Sequence, residues 1–421
     1  MKTIRPGERG ILVQYLQLAL TRAGYVTRPD GIFGESTCRI LRSFLQQETD
    51  CVVNDEIWER LIPYLKGYTR HTVARGDTLF GLARRYRTGV EQIRIANPEA
   101  ELLNLKVGSV LTIPFDYPVV PTGVAYSSLL NEYVIEGLVA RYPFLTVSEI
   151  GRSVMKRPLL CLKIGEGAKQ VFYNGSFHAN ENITTPVLLK FAEEYARAFS
   201  GRRALYGVDT GRLFHEYELS LVPMVNPDGV DLVNGFPLDD AYYDKAREVA
   251  ENYPDIPFPS GWKANIEGVD LNLQFPAGWE QAREIKYAQG YTSPAPRDFV
   301  GEGPLTAPES LAVYDFTLEK EFRLILAYHT QGEIIYWKYL DYNPEKSGQI
   351  ADYFAAVSGY KVEETPLASG YAGYKDWFIM YYNRPGFTIE AGLGTNPLPM
   401  SDFDRIYEDN KGILLGGMTQ I

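Results

Sequence analysis

The 421-residue chain has no run of about 18 apolar residues, so no segment of it reads as a membrane-spanning helix. Positive charge is in deficit. Lys and Arg number 42 against 53 Asp and Glu, and the net charge of −11 argues against a nucleic-acid binder. Cysteine is almost missing. Cys38, Cys51 and Cys161 form an odd set with no metal-binding spacing, which reads as three packed free thiols in a protein made in a reducing compartment. A secretory leader is not apparent either. Lys2 and Arg5 imitate a charged start, but Gln14 and Gln17 interrupt the apolar stretch after Gly10, which reads better as an amphipathic helix. Histidine is scarce at four residues, so the two that end apolar strands are informative.

What is present suggests two to four domains, with 45% hydrophobic residues and 30 tyrosines that suit either a core or a surface meeting sugars and peptides. Residues 1–66 read as a helical unit. Val13, Leu16 and Leu20 recur at helical spacing, and Gly24 suits a C-terminal cap. Asp30-Gly31-Ile32-Phe33-Gly34 is a tight turn, after which Ser36 or Thr37 starts a helix with Ile40, Leu41, Phe44 and Leu45 inward. Asn54 caps a third helix carrying Trp58 and Leu61. With Gln17, Tyr25 and the turn between correctly spaced helices, the segment resembles the three-helix peptidoglycan-binding domain.

Residues 70–115 form a second unit. His71-Thr72-Val73 is a short strand. Asp77 or Thr78 caps a helix burying Leu79, Leu82 and Tyr86, and a second helix carries Val90, Ile93 and Ile95 as far as Asn97-Pro98. Val110 to Ile113 is a closing strand. This βααβ order, with Gly76-Asp77-Thr78 and Asn97-Pro98 at these offsets, looks like a LysM module. The resemblance implies binding to N-acetylglucosamine-containing glycan such as peptidoglycan or chitin. Two such units on one chain would raise the local concentration at one polymer.

The third part, residues 116–421, opens with a linker carrying Pro118, Pro121 and Gly123, and from about 125 onward the pattern alternates strands and helices as α/β folds do. Strands are expected at Leu159–Ile164, Gln170–Gly175, Tyr217–Val225, Leu324–Tyr328 and Gly386–Ile389. Helices are expected at Leu129–Arg141, Pro186–Phe199 and Ser310–Thr317. The stretch 234–262, rich in Pro, Asp and Tyr, reads as a long surface loop or a lid over a site.

Four strings carry chemistry. His178-Ala179-Asn180-Glu181 follows a strand, and a His and a Glu three apart can both reach one Zn²⁺. Leu326-Ala327-Tyr328-His329 is again a strand running into a His, which would supply a third ligand and leave a fourth position for water. Phe387-Thr388-Ile389-Glu390 ends an apolar strand in a carboxylate. That is costly unless the group faces a cleft, and its catalytic reading is a general base. Trp262-Lys263-Ala264-Asn265, continuing to Gly268-Val269-Asp270-Leu271-Asn272, supplies a cation and an amide able to polarise a carbonyl or hold a carboxylate. Each string alone has an ordinary structural explanation, such as a salt-bridged Glu or a solvated Lys.

Together, and in the order HxxE, Asn226-Pro227-Asp228-Gly229, GVDLN, His and a late strand-end Glu, they resemble the zinc carboxypeptidase family of the carboxypeptidase A type over about 165–400. The resemblance implies a catalytic domain with a mixed sheet and helices on both faces. It implies one Zn²⁺ on His178, Glu181 and His329, with Glu390 as catalytic carboxylate. Lys263 stands where an oxyanion-stabilising Arg is usual, and Asn272 matches a substrate anchor. Lys for Arg loses the bidentate fork. Of Tyr371 and Tyr374, either of which could be the family's mobile tyrosine, Tyr371 is favoured. Leu273 stands where the family has the Arg that clamps a terminal carboxylate, and a Leu cannot pair with one. With the two front modules, this departure resembles the bacterial branch that hydrolyses the γ-D-glutamyl bond to diaminopimelate (or L-Lys) in stem peptides. Arg384 could restore a clamp. A carboxypeptidase of free muropeptides or ordinary peptides is one alternative, and a non-catalytic wall-binding protein is the other. The expected location is cytoplasmic at synthesis, with action at the cell wall or spore cortex, the wall being reached in sporulation, by lysis or through recycling.

Overall fold

The computed structural model describes residues 1–421. They form two compact units, one of residues 1–124 with 132–146, the other of 125–131 with 147–421. No helix is long and apolar enough to cross a membrane.

The first unit begins with three helices, Ile11–Arg22, Glu35–Leu45 and Asp55–Lys66. They pack around Leu16, Leu20, Leu41, Trp58 and Leu61, all fully buried. Asn54 caps the third helix through the Ile57 N–H. The second helix starts earlier than Ser36 or Thr37, at Glu35 behind Gly34. Thr37 is buried instead, where its hydroxyl accepts from the Gln17 side chain. The same Gln17 amide holds Asp30 and the Gly31 N–H, so the Asp30–Gly34 turn is read from inside the bundle.

Cys38 and Cys51, 13 residues apart with Cα atoms 5.5 Å apart, are joined by a disulfide. This corrects the expectation of three free thiols, and removes the ground on which sparse cysteine pointed to a reducing compartment. The pairing arises from helix packing, which a spacing of 13 in an odd set of three does not reveal. Cys161 alone is free, and burial pushes its thiol up to about 12.

Strand β1 (Tyr68–Thr72) and strand β2 (Val110–Pro114) pair antiparallel, with helices Leu79–Tyr86 and Val90–Ala96 between them. Thr78 caps the first of these helices through the Gly81 N–H. The core is Val73, Leu82, Ile93, Leu111 and Ile113. Asn97 ties the second helix to β2 by hydrogen bonds to both the N–H and the carbonyl of Thr112. His71 rests Nδ1 on the Tyr86 hydroxyl at 3.0 Å and Nε2 on Asp77 at 2.8 Å.

The second unit is built on strands β3 (Thr146–Arg152), β4 (Pro158–Ile164), β5 (Lys169–Gly175), β8 (Tyr217–Val222), β9 (Phe322–His329), β10 (Ile334–Tyr336), β11 (Lys361–Glu363) and β12 (Gly386–Glu390); β6 (Ala204–Leu205) and β7 (Val208–Asp209) form a separate hairpin. The eight-stranded sheet runs β11-β10-β12-β9-β5-β8-β4-β3. It is mixed: β12, β9, β5 and β8 are parallel, while β4 and β10 pair antiparallel with their neighbours β8 and β12. β8 ends before Pro223, which offers no N–H to a ladder, rather than at Val225.

Successive residues of β5 show both faces covered. Phe172 packs against Phe316 and Tyr374, from helices Pro308–Leu318 and Tyr374–Tyr382. Tyr173 points the other way and donates to the Leu414 carbonyl of helix Phe403–Thr419. The stretch 234–262 is not the long loop expected. It contains a helix, Asp240–Glu251, capped by Asp239 and packed through Ala246 and Ala250 near Trp262.

Candidate active site

The site forms at the carboxyl ends of the parallel strands, where open α/β sheets place their ligand crevices. β5 ends at Gly175, and Ser176 takes a left-handed φ of 52°, its hydroxyl held by Thr184 and Thr185. The chain then turns through the short helix Ala179–Glu181, bringing His178 and Glu181 onto one side. Asn226 fixes this turn from behind by donating to the Phe177 and Ala264 carbonyls, and the Ala179 N–H donates to the Lys263 carbonyl. Gly229 is required here, because a Cβ would stand 2.6 Å from the Asn226 side-chain oxygen and 2.7 Å from the Ala264 carbonyl. The Asn226–Gly229 motif thus registers the His178 turn against the Lys263 segment. β9 ends at His329 and β12 at Glu390, and these two residues are partners in the ladder.

His178 Nδ1 lies 3.0 Å from Glu181 Oε1, His329 Nδ1 lies 2.9 Å from Glu181 Oε2, and the two Nδ1 atoms are 3.2 Å apart. Lone pairs from two imidazoles and a carboxylate converge, and the three ligand atoms lie within 4.8 Å of one another. His178 Nε2 rests on Asp270 at 3.1 Å, the outer carboxylate that commonly orients a metal-binding His. Burial opposes charge on His178, yet Glu181 and Asp270 outweigh it and raise the imidazole to about 9. Burial likewise opposes ionisation of Glu181, and His178 and Lys263 hold its carboxyl well below the usual range. A pocket that favours positive charge and gathers two imidazoles with one carboxylate fits Zn²⁺.

Around these groups is a cleft of about 230 Å³. Of the residues singled out from sequence, His178, His329, Lys263, Asn272, Leu273 and Glu390 line it. Lys263 Nζ sits 2.8 Å from Glu181 Oε1, which pairs it with the carboxylate that would bind metal while it still lines the cleft. Withdrawal from water raises the Glu390 carboxyl above its ordinary value, and Glu181 adds to the effect. The Asn272 side-chain oxygen accepts the Tyr374 N–H at 3.0 Å. Tyr371 packs against the cluster of Leu273 and Trp279, beside Gly278. Tyr374 is fully buried, with its hydroxyl on Thr317. Arg384 lies away from the cleft, donating to Glu321 and the Phe322 carbonyl at the opposite end of the sheet.

The sequence reading missed several walls of the cleft. Asp270, Lys286, Arg297, Asp298 and Tyr336 all line it. Asp298 holds Lys286 and Arg297 by ion pairs of 2.5 Å each, and its N–H donates to Asp270. Asp270 stood inside the quoted GVDLN string and was legible from its place two residues before Asn272. The others carry no spacing that links them to the ligands. The 234–262 stretch contributes nothing to these walls, which corrects the lid reading.

An α/β sheet whose strand ends gather two histidines, a glutamate and a nearby carboxylate defines a metal-dependent hydrolase. The zinc carboxypeptidase model matches residues 132–411 and the LysM domain model residues 71–114. The chain belongs to the zinc carboxypeptidase family, with a LysM domain ahead of the catalytic part. It is 48% identical over 294 residues to Gamma-D-glutamyl-L-diamino acid endopeptidase 1 of Lysinibacillus sphaericus, covering 70% of this chain and 72% of that protein. It is 44% identical over 292 residues to Uncharacterized protein YqgT of Bacillus subtilis (strain 168), covering 69% and 76%. The structure of thrombin activatable fibrinolysis inhibitor superposes with a TM-score of 0.56 at 20% identity over 71% of this chain and 75% of that one, a likeness of fold.

Proposed function

We propose that this chain is a zinc endopeptidase that hydrolyses the γ-D-glutamyl bond to meso-diaminopimelate or L-Lys in bacterial stem peptides. In this reading residues 116–421 are the catalytic domain, and residues 1–66, a peptidoglycan-binding domain, and 70–115, the LysM domain, hold it to the glycan. The observation that carries the substrate reading is Leu273 on the cleft wall, where the family's carboxylate clamp would stand. An apolar wall there leaves the residue past the cut free to carry further amino acids. The name of the Lysinibacillus relative supports the same bond.

Zn²⁺ held by His178, Glu181 and His329 would polarise the scissile carbonyl and lower the pKa of water toward about 7. Glu390 takes the proton of the attacking water and returns it to the leaving amine. Lys263 directs its charge toward the developing oxyanion. Asn272 anchors the substrate and Tyr371 covers it.

One observation favours a second reading. Arg297 lines the same cleft and is partly exposed, so it could hold a free terminal carboxylate and make the enzyme a carboxypeptidase. Digestion of the tetrapeptide L-Ala-γ-D-Glu-diaminopimelate-D-Ala, followed by mass spectrometry, separates the two. The endopeptidase reading expects two dipeptides, and release of D-Ala alone would overturn it.

A further inference from the structure

We propose that the three-helix module and the LysM module act as one rigid reader of a single aminosugar glycan strand, not as two beads on a tether. The proposal rests on the reading that both modules bind that glycan. A single residue joins them: the third helix ends at Lys66, Gly67 caps it with a left-handed φ of 79°, and β1 begins at Tyr68.

Two arginines then close the junction. Arg22, from the first helix, donates to the Tyr64 and Leu65 carbonyls at 3.2 and 3.0 Å and to the Pro118 and Val119 carbonyls at 2.9 and 2.8 Å. It thereby ties the three-helix module to the segment that leaves β2. Arg141, buried, donates to the carbonyls of Gly67, Phe115 and Tyr117 at 3.2, 2.6 and 2.8 Å. Charged donors on several carbonyls at once are among the stronger hydrogen bonds available to a protein. Rings run through the same seam. Phe44 meets Tyr64 edge-on, and Tyr64 stacks on Phe115 at 5.1 Å, which stacks on Tyr117 at 5.7 Å. The Tyr117 hydroxyl donates back to the Tyr64 carbonyl.

With so little freedom at the junction, the placement of one module against the other is set by packing. Ordering entropy is spent in folding and not again on the polymer, so the second contact follows the first at high effective concentration. A strand long enough to reach both faces should therefore bind more tightly than a short one.

The test inserts ten Gly and Ser residues between Gly67 and Tyr68 in the full chain, with Arg22→Ala as a second, milder variant. Near-ultraviolet circular dichroism checks that each variant stays folded. Binding is measured to short and long N-acetylglucosamine oligomers and to sacculi. The wild type should favour long oligomers and sacculi, and the insertion should reduce that gain on the order of tenfold while leaving short-oligomer affinity unchanged. Arg22→Ala should move in the same direction. If the gain persists in the insertion variant, the rigid coupling is wrong and the glycan reading stands. If the wild type shows no gain with length, the three-helix module does not engage the strand, and both fall.

Discussion

His71 and His178 each rest one ring nitrogen on an aspartate, at 2.8 Å to Asp77 and 3.1 Å to Asp270, and yet they sit in opposite situations. In the LysM domain the other nitrogen of His71 meets the Tyr86 hydroxyl, so the protein satisfies the whole ring. In the catalytic unit the other nitrogen of His178 faces Glu181 and the Nδ1 of His329, a meeting of acceptors that a cation resolves. The lesson concerns what the second nitrogen sees. A closed His–Asp pair staples a loop to a helix, whereas an open one is half of a metal site.

The comparison can be broken at several points. Glu390→Gln should keep zinc and lower turnover about 10²–10⁴-fold, the range for a general acid–base group, with metal content and rate measured on the same sample. The aspartates should diverge next. Asp270→Asn should weaken zinc binding about 10–100-fold, read by competition with a chelator, because it frees the His178 ring. Asp77→Asn should leave zinc unaffected and lower the stability of the LysM domain. Equal zinc affinity in the two variants would remove the distinction drawn between the pairs. A smaller effect concerns the cleft wall: a C-terminal amide on the tetrapeptide should cost less than tenfold in kcat/KM, on the order of 1.4 kcal/mol. A drop of a hundredfold would mean that a clamp survives, with Arg297 the group to change first.

One carboxylate in each unit should also respond to pH in the opposite direction from the other. Glu309 is fully buried between the Val154 N–H and the Asn265 amide, with Asp228 close by, and burial pushes its carboxyl up to about 7. A folded value above the unfolded one means that its contribution is present at low pH and is lost as pH rises through about 7. The loss is on the order of 1–3 kcal/mol and should vanish in Glu309→Gln. Asp77 is the reverse. The Ala74 N–H and His71 hold it below its ordinary value, so its contribution is lost only as pH falls below the usual carboxylate range. Separate unfolding transitions for the two units, followed from pH 3 to 8, would show whether they diverge in this way.

Much of this was readable before the fold was seen. His178, His329 and Glu390 each follow an apolar strand, with Glu181 three residues past His178, and a polar group at a strand end has to be satisfied by something across the sheet. The strands that carry them were located within two residues at most ends because β-branched and aromatic runs are bounded by turn formers. Other features needed three dimensions. The Cys38–Cys51 pair depends on helix packing. The helix Asp240–Glu251 buries only Ala246 and Ala250, a stripe too narrow to stand out among polar neighbours. Arg297 and Asp298 reach the cleft from a loop with no periodicity at all. Spacing alone did not separate Tyr371 from Tyr374; the fold places Tyr374 inside the aromatic core and Tyr371 against its edge.

The central claim is that His178, Glu181 and His329 hold one zinc ion while His71 holds none. Elemental analysis of the full chain tests it most directly, comparing wild type, His71→Ala and the double variant His178→Ala/His329→Ala. The account predicts one equivalent of zinc in the first two proteins and none in the double variant. A full equivalent of zinc in the folded double variant would contradict it.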